Sequence, residues 1–373
     1  MKLYDLILST AEKGIKIQRE DGSMPPGENG IYSDPETPVR NTSHWLIIFI
    51  KAYDETKDKR FKNSANNCAD FLLTEKARPY GYTFQHRTSS VKKNKCNGLI
   101  GQAWTIEALS IAGNKLNRPE LNEMAESVFL LHPFNHDFGV WKSVEVTNKQ
   151  IGYDTTLNHQ IWFAASGSLL KNRKINNQIE IFLKNLPQNL ETYKSGLIYH
   201  PIGGSISLLE HISKSSKKLN REYSVRIYKN RIKRILRRLR NNKSLRQKSV
   251  GYHSFNLYAL AILHQKFPSN SFWSSSKFAS LLRYIRSEEY QKNLQKNKFG
   301  FKFNLVGFEN AFAEQQFSED SAESKKWIKL QFEKMINPDG SLKQTITDSK
   351  TYQARLYEAT RLDNYEIKFS EQE

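Results

Sequence analysis

The segment GYDTTLNHQIWF places a carboxylate, an amide and an imidazole within six residues, at Asp154, Asn158 and His159. Such a trio can move a proton while the amide holds a substrate. Comparable groups gather around the starts of other apolar runs. Asp34, Glu36, Arg40, Asn41 and His44 lead into NTSHWLIIFIKAY, and His86, Arg87, Asn97 and Gln102 lead into NGLIGQAWTIEAL. Tyr252, His253 and Asn256 open HSFNLYALAILHQ, Glu309 opens ENAFAEQQF, and Tyr352 and Arg355 lie in YQARLYEATRL. Trp141, Tyr199 and His200 add aromatic and imidazole groups between runs. Brought into one cleft, these residues suit a saccharide. Rings stack on aromatic faces, and hydroxyls bond to amides and acids.

Two reactions fit. Glycoside hydrolysis needs a carboxylic acid of raised pKa and a second carboxylate as base or nucleophile. Asp154 is the first candidate for the acid, with Asp34, Glu36 or Glu309 as its partner. A uronate lyase or C5-epimerase instead needs a base near C5 and a group that neutralises the carboxylate. His253 with Tyr252, or His86 with Tyr199, would serve as base and acid, and Arg40, Asn97 or Asn158 would hold the carboxylate. Further substrate contacts are expected from Asn41, His44, Arg87, Gln102, Trp141 and His159. Tyr199, His200, Asn256, Tyr352 and Arg355 complete that expected set. A helix-start Asn or Asp is more often a cap than a ligand, and Trp45, Trp104 and Trp162, well inside their runs, read as core. His132 and His136 are separated by Pro133 and lack the HExxH pattern, so neither metal nor cofactor is expected.

The elements that must position these groups repeat along the chain. Polar-headed apolar runs begin at Asn41, Asn97, Asn158, His253, Glu309 and Tyr352, spaced 56, 61, 95, 56 and 43 residues apart. They are apolar on more than one side, as buried helices are. Each of the first five is followed by a more amphipathic run, such as FKNSANNCADFLL, and a glycine-marked turn such as YGYTF or FGVW. The last run lacks a successor, which the N-terminal helix over Lys2 to Gln18 supplies. The reading is an all-α, (α/α)6 toroid of six helical hairpins closed by the chain ends, with short β-like hairpin loops. Inner-helix N-termini, with free amides and positive dipole ends, would share one mouth. Gly98 and Gly101 open one inner helix although glycine costs about 1 kcal/mol relative to alanine there. Crowding around the toroid axis accounts for them.

Charge is unevenly spread. The chain of 373 residues has a net charge of +19, and residues 211–250 hold 15 Lys/Arg against Glu222 alone. This block falls in the long interval, so residues 203–249 read as a basic helical insertion within a single domain spanning 1–373. Its stretch SVRIYKNRIKRILRRLRNN is amphipathic; it reads either as a solvated helix packing its apolar stripe on the body or as one suited to an anionic membrane surface or polyanion. Aromatics are not interleaved with its charges as in nucleic-acid stacking platforms, which argues against nucleic acid. Two cysteines exclude a disulfide framework. The absence of a signal-like start or a membrane-length apolar run predicts a soluble, cytoplasmic protein, peripheral on the membrane at most.

With DPETPVRNTSHW and CNGLIGQAWTIEAL in a six-hairpin layout, the chain resembles the six-hairpin glycosidase superfamily. More narrowly it is similar to the AglQ-type family encoded with surface-polysaccharide and protein-glycosylation genes. The resemblance covers the chain apart from the basic block and implies action on an oligosaccharide or polysaccharide, free or lipid-linked. The superfamily includes unsaturated uronyl hydrolases, whose proton-donating aspartate stands at an inner-helix mouth comparable to that of Asp154. The paired acidic motif usual in those hydrolases is absent here. A glycan-binding or assembly protein attached through its basic helix is the non-enzymatic alternative.

Overall fold

The computed structural model describes residues 1–89, 93–203, 242–319 and 321–367. Five long apolar runs form the inner helices α2 (Val39–Thr56), α4 (Gly98–Lys115), α6 (Leu157–Gly167), α9 (His253–Lys266) and α12 (Val306–Phe317). A sixth unit is shorter, with α14 (Ser349–Arg355) running into a 3₁₀ turn, Leu356–Arg361. Neighbours pack in chain order, and the 3₁₀ turn returns to α2, closing the inner ring. Burial on nearly all sides explains why these segments lack an amphipathic stripe. In α4 every residue from Gly98 to Ser110 is buried.

The outer layer comprises α1 (Leu3–Ile17), α3 (Lys59–Leu73), α5 (Pro119–Leu130), α7 (Arg173–Asn189), the pair α10 (Ser276–Ile285) and α11 (Glu288–Gln295), and α13 (Ser321–Met335). These helices bury one face, as Phe61, Ala65, Cys68 and Leu72 do in α3. Several start at side-chain caps: Asp58 accepts from the Arg60 amide, Asn172 from those of Lys174 and Ile175, and Ser275 from that of Phe278. No such cap bond closes α2, α4, α6, α9 or α12. Their first amides find partners elsewhere: Gly98 donates to Asn94, Leu99 to Asp154, Leu157 to the His200 carbonyl and Gly307 to Gln331.

Closure follows the expected route. The Leu3 amide donates to the Tyr365 carbonyl (2.9 Å), the Ile367 amide to that of Met1 (2.8 Å) and the Tyr4 hydroxyl to that of Leu362 (3.0 Å). A small antiparallel sheet, β1 (Phe134–Asn135), β2 (Val140–Val144) and β3 (Gln150–Tyr153), precedes α6, with Lys142 opposite Tyr153. The amphipathic basic stretch lies outside the described residues. Residues 243–249, within the expected insertion, belong to α8 (Lys243–Gly251), capped by Asn242 and packed on α9 and α11. Among the described residues no helix is long and apolar enough to cross a membrane.

Candidate active site

At the mouth of the inner ring lies a cavity of about 540 Å³. Its wall draws on the first loop (Asn29, Tyr32), the approach to α4 (Arg87, Lys93, Asn97) and the sheet with its exit (Ser143, Tyr153, Asp154). The later units add Asn158, His159, His200, Lys248, Tyr252, Phe303 and Arg355, while Arg40 and Trp104 also reach it. Five Arg/Lys and a single carboxylate, Asp154, line the space.

Asp154 leaves β3 one turn before α6 and is gripped from three sides. Its Oδ2 meets His159 Nδ1 at 2.8 Å and accepts from the Leu99 amide at 3.2 Å and the Ser143 hydroxyl at 3.4 Å. Its Oδ1 accepts from the Thr156 amide at 3.2 Å. Burial opposes ionisation, but the charge and hydrogen bond of His159, with the two amides, outweigh it and hold the carboxyl below its usual range. Asp154 is therefore a carboxylate paired with an imidazole. It does not have the raised pKa expected of a hydrolytic acid. The His159 side chain keeps about a quarter of its surface exposed.

Gly98 explains how α4 reaches this carboxylate. Its φ is +60°, and a Cβ there would lie 2.6 Å from Asp154 Oδ2. Gly101 is crowded differently: a Cβ would sit 2.5 Å from the Cys96 carbonyl and 2.8 Å from the His86 ring. Crowding accounts for Gly101, whereas Gly98 makes room for the site itself. Asn97, at φ +59°, does not cap α4 and instead accepts from Arg87 Nη2 at 2.5 Å.

Two arginines reach the cavity from buried acidic seats. Arg40 donates to Glu36 (3.1 Å) and Asn29 (2.8 Å) and stacks 4.1 Å over the Trp104 ring. Arg355 donates to Glu309 (2.8 Å), Glu358 (2.7 Å) and Asn304 (2.6 Å). Burial disfavours the Arg355 charge, but Glu358 and Glu309 more than restore it. Burial pushes Glu36 up, and burial together with Glu358 pushes Glu309 well above the carboxylate range. Neither glutamate lines the cavity. Of the three acids expected to join Asp154, Glu36 and Glu309 are instead the seats of guanidinium groups, and Asp34, also outside the lining, pairs with Lys93.

Other expected residues are also placed away from the cavity. His253, expected as a base, is fully buried. Its Nδ1 accepts from the Ile198 amide (3.1 Å) and its Nε2 donates to the Leu281 carbonyl (3.1 Å), tying α9 to the outer layer. His86 lies beneath, 3.3 Å from the Thr105 hydroxyl, and burial lowers it to about 3. His44 stacks on Tyr357 at 4.3 Å. Gln102 clamps Phe84 through both its amide and carbonyl, Trp141 donates to Gln178 within an aromatic cluster, and Tyr352 donates to the Phe301 carbonyl. Asn41 donates to the Pro25 carbonyl and Asn256 to that of Tyr252, while Tyr199 packs edge-on against Tyr193. Trp104, expected in the core, borders the cavity. Lys93, Lys248 and Tyr32 were not singled out by residue type: Lys248 lies in the basic block and Lys93 in VKKNK. Among the described residues no group of His, Cys, Asp and Glu could hold a metal ion.

No family model matches the chain. It is 44% identical over 370 residues to archaeal glycosylation protein Q of Haloferax volcanii, with 98% of each chain covered. The chain belongs to the archaeal glycosylation protein Q family. Solved structures of the same fold include a D-mannose isomerase (13% identity, TM-score 0.65, 96% of each chain covered). The cellobiose 2-epimerase of Bacillus thermoamylovorans matches at 11% identity and TM-score 0.60, covering 96% of this chain and 98% of that one. An inactive α-1,6-mannanase of Salegentibacter sp. in complex with α-1,6-mannotetrose matches at 12% identity and TM-score 0.58, covering 97% and 98%. These likenesses establish the six-hairpin toroid. Membership of a glycosylation family makes the protein glycan-related.

Proposed function

We propose that the protein acts on a uronate-containing glycan by proton transfer at the carbon beside the carboxylate, as a C5-epimerase or lyase. The observation carrying this reading is that the Asp154–His159 pair shares one cavity with Arg40 and Arg355. Two-carboxylate hydrolysis requires carboxyl groups roughly 5–9.5 Å apart across the scissile bond, and Asp154 is the single carboxylate among the described lining residues. His159, oriented by Asp154, takes the C5 proton, and the electron pair moves into the uronate carboxylate. Arg40 and Arg355, fixed on their glutamates, meet the added negative charge without reorganising.

The carbanion then has two outcomes. Reprotonation from the other face gives the epimer. Departure of the C4 substituent gives an unsaturated product, the leaving oxygen taking a proton. Tyr252 is the donor in either case. It lines the cavity, and burial and the neighbouring Tyr32 phenol keep it protonated well above pH 10. The basic block over residues 211–250 supports attachment to an anionic membrane surface, where the glycan would be met in lipid-linked form.

A panel of uronate oligosaccharides in deuterated water, analysed by mass, tests the reaction. Deuterium uptake at C5 or an unsaturated end is expected. Addition of water would overturn it in favour of hydrolysis, and binding without any change would leave a glycan-binding protein.

A further inference from the structure

We propose that one wall of the cavity is a phosphate subsite, formed by Lys93 and Lys248 around Tyr32 with His200 and flanked from outside the lining by the exposed Lys298, so that the glycan is recognised as a phosphate ester. The uronate part of that substrate rests on the function proposed above. The phosphate part stands on different residues.

The three lysines come from separate segments and converge on two adjacent rings. Lys93 Nζ lies 4.7 Å and Lys248 Nζ 5.6 Å from the centroid of Tyr32. Lys248 is also 5.9 Å, and Lys298 5.1 Å, from that of Phe299, whose ring is 6.1 Å from Tyr32. Lys93 pairs with Asp34. No carboxylate among the described residues pairs with Lys248 or Lys298. Burial lowers the Lys248 pKa, and repulsion from Lys93 and Lys298 lowers it further. Folding has thus gathered like charges with too little counter-charge, an arrangement that an anion relieves.

A second observation points the same way. His200 lines the cavity, and its buried Nδ1 has no hydrogen-bond partner. Burial first, then Lys248 and His159, lowers it to about 3. It therefore stays neutral, a polar ring without charge on the same wall as the lysines. The Tyr32 and Tyr252 hydroxyls, 2.9 Å apart, stand on the same wall.

Ligand geometry separates this wall from the arginine seats. Guanidinium forks match a planar carboxylate, whereas ammonium groups are point charges with freely turning donors. Three of them approaching from different segments suit a tetrahedral oxyanion. A nucleotide diphosphate sugar, a lipid-phosphate glycan and free phosphate all present that group.

Calorimetry on the full chain separates these sources and the two readings. Probes are glucuronic acid, glucuronic acid 1-phosphate, UDP-glucuronic acid, pyrophosphate and vesicles bearing a polyprenyl phosphate. The 1-phosphate is expected to bind about tenfold more tightly than glucuronic acid, as one charge-assisted contact allows. In Lys248→Gln and in the exposed Lys298→Gln, that ratio should fall toward one and pyrophosphate should weaken about tenfold. A wild-type ratio near one, or a ratio indifferent to both substitutions, overturns the subsite. Pyrophosphate binding that depends on Lys248, with no binding of glucuronic acid, would keep the subsite and remove the uronate reading. The tighter of the nucleotide and polyprenyl probes identifies the source.

Discussion

In the proposed reaction His159, expected from the sequence as a substrate contact, is the base, and Asp154, expected as the acid, orients it. In Asp154→Asn, Leu99 and Thr156 can still donate to a side-chain oxygen, but the negative charge behind His159 is gone. Turnover is expected to fall about 10²- to 10⁴-fold, with His159→Gln at least as severe, while the melting temperature moves little. Normal turnover in either variant would remove the base assignment. His253 illustrates the opposite case, an imidazole whose burial serves the fold. Burial lowers it to about 4, against roughly 6.5 in the unfolded chain. The unfolded state therefore takes the proton first as pH falls. Stability from neutral His253 is complete above about pH 6.5 and declines toward pH 4, by at most about 1.4 kcal/mol per pH unit. Urea unfolding at several pH values should show a shallower decline in His253→Gln than in the wild type. An unchanged slope would mean that His253 does not titrate on unfolding.

Inner and outer helices differ at their first turns for a reason tied to function. Four outer helices, α3, α7, α10 and α11, start at Asp, Asn or Ser side-chain caps. The five long inner helices lack a side-chain bond from their cap residue, and at α4 the Leu99 amide donates to Asp154 instead. Gly98→Ala would press a methyl group against that carboxylate in a left-handed backbone conformation. It is expected to cost activity at least tenfold, more than its loss of stability explains, and parallel kinetics and thermal melts would show the split. Preserved activity would mean that Asp154 has room to move. The N-terminal helix α1 buries Leu3, Leu6, Ile7 and Ala11, and its strand-like lead bonds to residues 362–367. Deleting residues 1–18 should abolish the cooperative melt of the whole toroid, because both terminal units lose their cover. A truncated protein melting at the wild-type temperature would contradict closure as a source of stability.

For the molecule as a whole, positive charge appears at two places with different settings. In the cavity it is seated on buried acids or stacked on rings. In residues 211–250 it is a run of 15 Lys/Arg with one acid. Replacing residues 204–241 with a short linker is expected to leave thermal unfolding intact and to end sedimentation with anionic vesicles. In the intact chain that sedimentation should disappear near 1 M salt, where screening shortens to about 3 Å, and in the triple variant Arg234→Glu, Arg237→Glu, Arg238→Glu. Vesicle binding insensitive to salt would exclude electrostatic attachment.

The ring was legible in the chain because each hairpin repeats the same physical problem: one helix buried on all sides, one on a single face, then a glycine turn. Repetition at that scale survives differences in individual residues, and the missing outer helix required the ends to meet. Asp154, Asn158, His159, Arg40, Arg87, Asn97, His200, Tyr252 and Arg355 were legible as polar groups near helix starts, and all border the cavity. Which way each side chain pointed was not, because successive helix positions turn by about 100°. His159 thus faces the cavity while His253, also in a first turn, faces the outer layer. Glu309 became an arginine seat because α12 starts at Val306, placing Glu309 beside Arg355. Lys248 is one charge among many in the basic block, and only the packing of α8 on the ring brought it to the cavity. Local sequence determined which helices form and where they break. Their rotation against neighbours, set by packing between residues far apart in the chain, decided which polar groups reach a ligand and which hold the fold.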